Sequence, residues 1–164
     1  MSPSANANTG AAADPSLAAD FRATVIFQLT ALANKLSIRA SQRLRKRLDV
    51  GLMEWRVVAL LGLETEATPA RVSQVAGVDK SVVSRAVNSL QQRGLLQVCN
   101  AQPGRQTLLR LTEEGRRLSD RGIPGAMQAE ALLTLGFAPE ERELLLDMLQ
   151  RMTANLTRLD QAPP

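Results

Sequence analysis

Residues 68–111, TPARVSQVAGVDKSVVSRAVNSLQQRGLLQVCNAQPGRQTLLRL, decide the fold of this chain. Thr68 can cap a short helix, and Pro69 suits its first position because a missing N–H costs nothing there. Gly77 can adopt the positive φ that ends the helix. The apolar side of this helix is predicted at Val72, Val75 and Ala76.

A second helix is predicted from its cap at Asp79 to about Arg93, with Gly94 as its stop. Its buried side falls at helical spacing on Val83, Ala86, Val87 and Leu90. The side chains on the opposite side are short, form hydrogen bonds or carry positive charge. They are Lys80, Ser81, Val82, Ser84, Arg85 and Asn88. Ser and Lys hold phosphate oxygens, and Arg or Asn reads base edges, so we predict a DNA-binding face. An ordinary solvated helix face is the alternative, because helix-turn-helix outlines are common by accident.

A β-hairpin is predicted directly after these helices. Residues 95–100 are strand-like, Pro103 and Gly104 form a turn, and residues 107–111 alternate back. A helix-turn-helix followed by a hairpin makes a winged helix. Arg105 lies at the hairpin tip, where it can enter a minor groove, and a solvated loop Arg is the alternative.

The N-terminal flank is predicted to be one long helix from Asp14–Pro15 to about Arg47, after a disordered tail over residues 1–13. Apolar residues recur at three- and four-residue steps: Leu17, Phe21, Val25, Leu29, Leu32, Leu36 and Ala40. Such a helix is too long to pack on a small winged domain alone, so we expect its excess to pack on a second subunit. A kinked helix within a monomer is the alternative.

The C-terminal flank is predicted to be helical as well. Thr112 caps one helix, Gly122, Pro124 and Gly125 bend it, and Gly136 ends it. Pro139 begins the last helix, whose apolar residues step by four and three like a coiled-coil seam: Leu145, Leu149, Met152, Leu156 and Leu159. We therefore expect a homodimer whose interface includes Leu17, Phe21, Leu145, Leu149, Met152 and Leu156.

The predicted fold is thus mainly α with a small β-wing, a winged helix-turn-helix domain with dimerisation helices on both sides. Its predicted parts are a tail (1–13), an N-terminal dimerisation helix (14–50), the DNA-binding domain (51–112) and C-terminal dimerisation helices (113–164).

Composition excludes several function classes. The chain has no His and a single Cys, so neither a Cys/His zinc site nor Ser-His-Asp or Cys-His catalysis can be assembled. We expect no enzyme activity, no cofactor and no metal. Cys99 allows no internal disulfide, which suits a reducing cytoplasm, and it is interpreted as a packed strand residue rather than a redox sensor. The densest apolar run, residues 57–63, is far too short to span a membrane, and no signal peptide is recognised, so we expect a cytoplasmic protein.

The segments LMEWRVVALL, VSQVAGVDKSVVSRAVNSLQQRGLL and GRQTLLRLTEEG together resemble the MarR family of bacterial winged-helix regulators. The pieces DKSVVSRAVNSL and LTEEG carry most of this resemblance, which covers about residues 15–160. It implies a dimeric transcriptional regulator of double-stranded DNA, commonly a repressor that responds to a small molecule. Family members often sense aromatic acids, phenols or their thioesters.

The resemblance also implies an effector cleft between the dimerisation helices and the winged domain. The residues proposed for it are Arg39, Met53 and Trp55. Arg39 belongs to a run of cations, Arg39, Arg43, Arg45, Lys46 and Arg47, whose default explanation is the preference of cations for a helix C-terminus. Trp55 is more often a core anchor than a ligand platform, although both roles can hold.

A second function remains open, a winged-helix module that binds an acidic protein and no DNA. Two features favour it: the strand at Val98–Cys99 is uncharged, and Pro103 stands where the family usually has an acidic residue before the wing Arg. A steep dependence of duplex binding on salt distinguishes the two functions.

Overall fold

The computed structural model describes residues 20–99 and 107–159 of the chain. Leu17, the predicted wing turn with Arg105, and the tail over residues 1–13 lie outside these ranges. The elements in chain order are α1 (Val25–Leu48), α2 (Leu52–Glu64), β1 (Glu66–Ala67), α3 (Pro69–Ala76), α4 (Lys80–Gln92), β2 (Leu96–Cys99), β3 (Leu108–Leu111), α5 (Glu113–Leu133) and α6 (Pro139–Leu159). The predicted fold class, mainly helical with a small antiparallel sheet, is confirmed.

The two helices of the helix-turn-helix unit follow local signals. The Thr68 hydroxyl oxygen accepts a hydrogen bond from the Arg71 N–H at 3.1 Å, and Gly77 ends α3 with φ 63°. Asp79 precedes α4 as predicted, but its side chain makes no capping hydrogen bond, so that part of the prediction is wrong. Its carboxylate still lies next to the positive end of the α4 dipole.

The apolar side of α3 is narrower than predicted. Val72 is 1% exposed, whereas Val75 is 52% exposed. A three-residue step turns the helix about 60° short of a full circle, and this rotation carries Val75 away from the core that Val72 enters. Ala76 is half-buried, so the buried stripe runs from Val72 towards Ala76.

The sheet has three antiparallel strands in the order β1-β3-β2. β2 and β3 form the base of the predicted hairpin, with Leu96 opposite Leu111 and Val98 opposite Leu109. β1 was not predicted, because it has two residues and exists only through its pairing with β3 across more than 40 positions of sequence. Both strands were predicted to begin one residue too early, at Leu95 and Thr107, and the predicted end of the first strand at Asn100 lies outside the described residues.

The core lies where α2, α4 and the sheet meet. Leu61, Leu90 and Leu109, one from each of these elements, are fully buried. Trp55 of α2 joins the same cluster and is buried as well. α4 therefore rests on a compact apolar support, which limits its freedom to rotate.

The N-terminal flank is not the single helix that was predicted. Residues 20–22 are helical, Ala23 and Thr24 are not, and α1 begins after them. The Thr24 hydroxyl donates to the Phe21 carbonyl at 2.8 Å and accepts from the Phe27 N–H at 3.3 Å, so it acts as an N-cap. A side-chain oxygen that bonds to nearby backbone offers an alternative to the helical ladder, and this competition explains the break.

The C-terminal helices follow the prediction more closely. Thr112 caps α5, and α5 stays one helix through Pro124, from Glu113 to Leu133. The prediction that Gly136 ends this helix is wrong, because Thr134 is already its C-cap. The N–H of Ala138 donates to the Glu141 carboxylate at 2.8 Å, so the start of α6 is capped despite its lack of a Ser or Thr.

The predicted dimer seam is open in the single chain. On α6, Leu145 and Leu156 are exposed, while Leu149 and Met152 are half-buried; Phe21 is exposed near the start of the described chain. These apolar side chains are available to a second subunit, and their role in a dimer stays a prediction. Within residues 20–99 and 107–159, no helix is both long and apolar enough to cross a membrane.

Candidate nucleic-acid interface

The helix α4 has a buried side and an outward side. Its buried side consists of Val83, Ala86, Val87 and Leu90, as predicted. The outward residues are exposed, except for Val82, which is half-buried: Lys80, Ser81, Ser84, Arg85 and Asn88. The structure thus brings six of the seven predicted DNA-contacting residues onto one helix surface, and Arg105 lies outside the described residues.

From Lys80 to Thr112, the charged residues of the chain all have one sign. No Asp or Glu occurs between Lys80 and Thr112. The same stretch contains five basic residues: Lys80, Arg85, Arg93, Arg105 and Arg110. The guanidinium of Arg110 pairs with Glu66, and that of Arg93 pairs with Asp49 and Glu54. In the part of the chain that the structure describes, Lys80 and Arg85 form no such ion pair, and both side chains are exposed to solvent.

A groove runs between α4, the start of α3 and the base of the wing. Lys80, Ser84 and Asn88 line it, together with Gln91 and Thr107, which sequence analysis did not select. Gln91 follows Asn88 by three positions and Ser84 by seven, so it lies on the same face of α4 one turn further along. Helical spacing was therefore enough to predict it. Thr107 could not be found in this way, because it reaches the groove through the fold of the hairpin.

A second, larger cleft lies between α1, α2 and the middle of α5. Arg39 and Trp55 line it, as predicted for effector residues. The structure does not bring Met53 to this cleft; Met53 packs against the core instead. The cause is helical geometry, since Leu52, Trp55 and Arg56 share one face of α2 and Met53 lies about 100° away from Leu52.

The larger cleft is strongly basic. Its charged lining has six basic side chains and one acidic one: Arg39, Arg43, Lys46, Arg47, Arg56, Arg121 and Glu130. Glu130 pairs with Arg142 at 3.1 Å, which offsets its charge locally. Arg56 also donates to the Ala76 carbonyl at 3.4 Å and so connects the cleft to the end of α3.

Cys99 lies at the end of β2, opposite Leu108 of β3, and is half-buried. This position agrees with a packed strand residue. The chain offers no second Cys as a resolving partner.

Comparisons with known proteins agree with this geometry. A model of the MarR family matches residues 48–106, a range that contains α2, β1, α3, α4 and β2. The uncharacterized HTH-type transcriptional regulator YdgJ of Bacillus subtilis (strain 168) is 25% identical over 105 residues, 63% of this chain and 64% of YdgJ. The match therefore spans slightly less than two thirds of the length of that relative.

Solved structures extend the similarity to most of the chain. A MarR/EmrR family transcriptional regulator from Acinetobacter sp. ADP1 is 27% identical, with a TM-score of 0.75 over 82% of this chain and 94% of that one. A MarR family regulator from Listeria monocytogenes in complex with a 26mer DNA is 19% identical, with a TM-score of 0.75 over 81% of this chain and 89% of that one. The second likeness is one of fold alone.

Proposed function

We propose that this chain acts as a winged helix-turn-helix transcriptional regulator of the MarR family, whose members are not enzymes. In this proposal it is a ligand-responsive repressor that binds a pseudo-palindromic operator as a homodimer. The observation that carries this proposal is the outward face of α4, on which Lys80 and Arg85 are exposed beside Ser84 and Asn88 and lack any acidic neighbour downstream in the helix.

Each residue type on this face suits a distinct contact. Lys80 and Ser81 at the start of α4 position the helix on phosphates, to which the helix dipole adds. Arg85 and Asn88, further along the helix, discriminate bases in the major groove. The groove beside Ser84, Asn88 and Gln91 follows the same face, so a sugar-phosphate strand between α4 and the wing is the arrangement that we propose.

Dimerisation is supported by the open apolar positions on α6 and at the start of α1. Leu145, Leu149, Met152 and Leu156 recur at steps of four, three and four, and a second copy of the chain is their simplest cover. A two-fold dimer offers two α4 faces, so its operator has two half-sites about 10 base pairs apart.

The proposed effector site is the basic cleft between α1, α2 and α5. Six basic side chains line this cleft together with Trp55, and such a lining favours a ligand that carries an anionic group and an apolar body, such as an aromatic acid or its thioester. The cleft measures about 1530 Å³ in the single chain, more than the roughly 300–1,000 Å³ typical of small-molecule sites, so a partner subunit is proposed to narrow it. An effector acts only by binding one spacing of the two α4 helices better than the other.

The experiment that tests this function is the selection of bound duplexes from a random pool by the purified full-length chain. We expect enrichment of an inverted repeat, a complex of two chains per duplex, and weaker binding when candidate aromatic acids are present. Binding of the selected duplex is expected to fall steeply with salt, at a log–log slope of about −0.9 per phosphate contact. No enrichment over a scrambled pool, together with a flat salt dependence, would contradict DNA binding and favour the protein-interaction module.

A further inference from the structure

The C-terminal end of α4 is tied to the junction between α1 and α2 by a cluster of polar groups. Glu54 of α2 is its centre, with a side chain that is 15% exposed. One carboxylate oxygen accepts from the Ser89 hydroxyl at 2.5 Å, and the other accepts from the Gly51 N–H at 2.6 Å. The second oxygen also lies 3.5 Å from Nη1 of Arg93. Glu54 therefore holds the C-terminal end of α4 through the side chains of Ser89 and of the C-cap Arg93.

Arg93 extends this cluster to the end of α1. Its Nη2 donates to the Asp49 carbonyl oxygen at 2.7 Å and lies 3.3 Å from the Asp49 carboxylate. Asp49 is the C-cap of α1 and has φ 54°, so its carbonyl lies among groups that have no partner within the helix. Arg93, the C-cap of α4, thus binds the end of α1, the helix that leads to the proposed dimer interface.

The electrostatics of the cluster keep it charged. Burial alone would raise the pKa of Glu54, but the hydrogen bonds from Ser89 and Gly51 and the charges of Arg93 and Arg45 outweigh it, so that the pKa lies below its ordinary value. An ionised carboxylate that accepts such bonds holds its partners more strongly than a neutral acceptor.

We propose that Glu54 and Arg93 are positioning residues that set the angle between α1 and α4, and with it the spacing at which the two α4 helices of a dimer meet the operator. This inference rests on the proposed function, because it assigns α1 to the dimer and α4 to the DNA. It adds a task for two residues outside the DNA-facing surface. Loss of the cluster leaves Arg85 free to read its bases but leaves α4 loosely held relative to the dimer.

The test uses the full-length chain and three duplexes: the selected operator, and the same operator with one base pair inserted or deleted between its half-sites. The variants are R93Q and E54Q. The control is R71Q, which breaks an Arg–Glu pair of 2.6 Å between α3 and α2 that touches neither α1 nor α4. The readout is the ratio of dissociation constants between the altered and the original spacing, measured at one salt concentration.

We expect the wild-type chain and R71Q to prefer the original spacing equally. In R93Q and E54Q, the ratio of dissociation constants between the altered and the original spacing is expected to fall about tenfold, the scale of one charge-assisted hydrogen bond. Their base preference within a half-site is expected to stay that of the wild type, which separates this effect from damage to the reading face.

Other results overturn the inference. If R93Q and E54Q weaken binding to all three duplexes by the same factor, the cluster only stabilises the fold. Should both variants fail to fold, S89A decides, since it removes one hydroxyl; an S89A chain with the full spacing preference contradicts the inference, and a partial loss of about threefold supports it. A wild-type chain that binds DNA without spacing preference also contradicts it, whereas a wild-type chain that binds no duplex overturns the proposed function itself.

Discussion

The contact between Gly122 and Trp55 predicts opposite effects for two similar substitutions on α5. A Cβ atom placed on Gly122 would overlap the ring carbons Cζ3 and Cη2 of Trp55 and would lie 2.9 Å from Cδ1 of Leu48. Trp55 is buried in the core and cannot turn away without opening it. A Cβ placed on Gly125, three residues later, meets nothing within 4 Å.

The expected magnitude follows from these two environments. Ala in place of Gly in a helix interior gains about 1 kcal/mol at either position, but only G125A has no opposing packing cost. Overpacking costs about 1–3 kcal/mol, and G122A is expected near the upper end because two rigid ring atoms are overlapped. The net effect is a loss of about 2 kcal/mol for G122A, or a Tm lower by about 4–8 °C for a chain of this size.

The assay is thermal and urea unfolding at one protein concentration, followed by circular dichroism and by the fluorescence of Trp55, the only Trp in the chain. G122A is expected to change the emission of the native state as well as the Tm, because the ring itself must move. G125A is expected to raise the Tm slightly with unchanged emission. If G122A were as stable as the wild type, or if both variants shifted the Tm in the same direction, the close packing of α5 on α2 would be refuted.

Two further predictions concern charges and caps. The depressed pKa of Glu54 contributes stability that is complete above its ordinary value of 4.5 and is lost as the pH falls through the lower value of the folded chain, so the free energy of unfolding should fall more steeply below pH 4.5 in the wild type than in E54Q. Urea unfolding from about pH 3 to about pH 6 measures this, and parallel curves would contradict it. Thr112 accepts from the Gly115 N–H at 3.1 Å and donates to the Gly94 carbonyl at 2.7 Å, so T112A should lose about 1–2 kcal/mol of stability while T112S keeps most of it. Equal urea midpoints for T112A and the wild type would show that this cap contributes little.

The parts of the fold that could be predicted are those with local causes. Thr68 and Gly77 mark the limits of α3, and the buried side of α4 follows from spacing alone. The same local logic failed at Thr24, where apolar spacing continued but the hydroxyl capped a new helix. Spacing records which residues can share a face and does not show where the backbone leaves the helix.

The parts that could not be predicted depend on distant partners. β1 exists because Glu66 and Ala67 pair with β3, and two residues carry no periodicity of their own. Gly122 was interpreted as a bend, whereas in the structure it makes room for the Trp55 ring.

The candidate site divides in the same way. The residues on the outward face of α4 could be predicted from helical spacing around the buried residues. Gln91 could be predicted in the same way by extending that spacing one turn. The cluster of Glu54, Ser89, Arg93 and Asp49 does not, because Glu54 lies 35 positions from Ser89 and Asp49 lies 44 positions from Arg93. Only the packing of α4 on α2 brings these groups together.

The central claim is that the outward face of α4 reads DNA sequence, and the specificity ratio of R85A tests it most directly. This ratio is the dissociation constant of a scrambled duplex divided by that of the selected operator, at one salt concentration. One good bidentate base contact is worth about 1–3 kcal/mol, so R85A should lower the ratio by about tenfold or more, whereas K80A should weaken both duplexes and leave the ratio unchanged. An R85A chain that keeps both the affinity and the ratio of the wild type would contradict the claim.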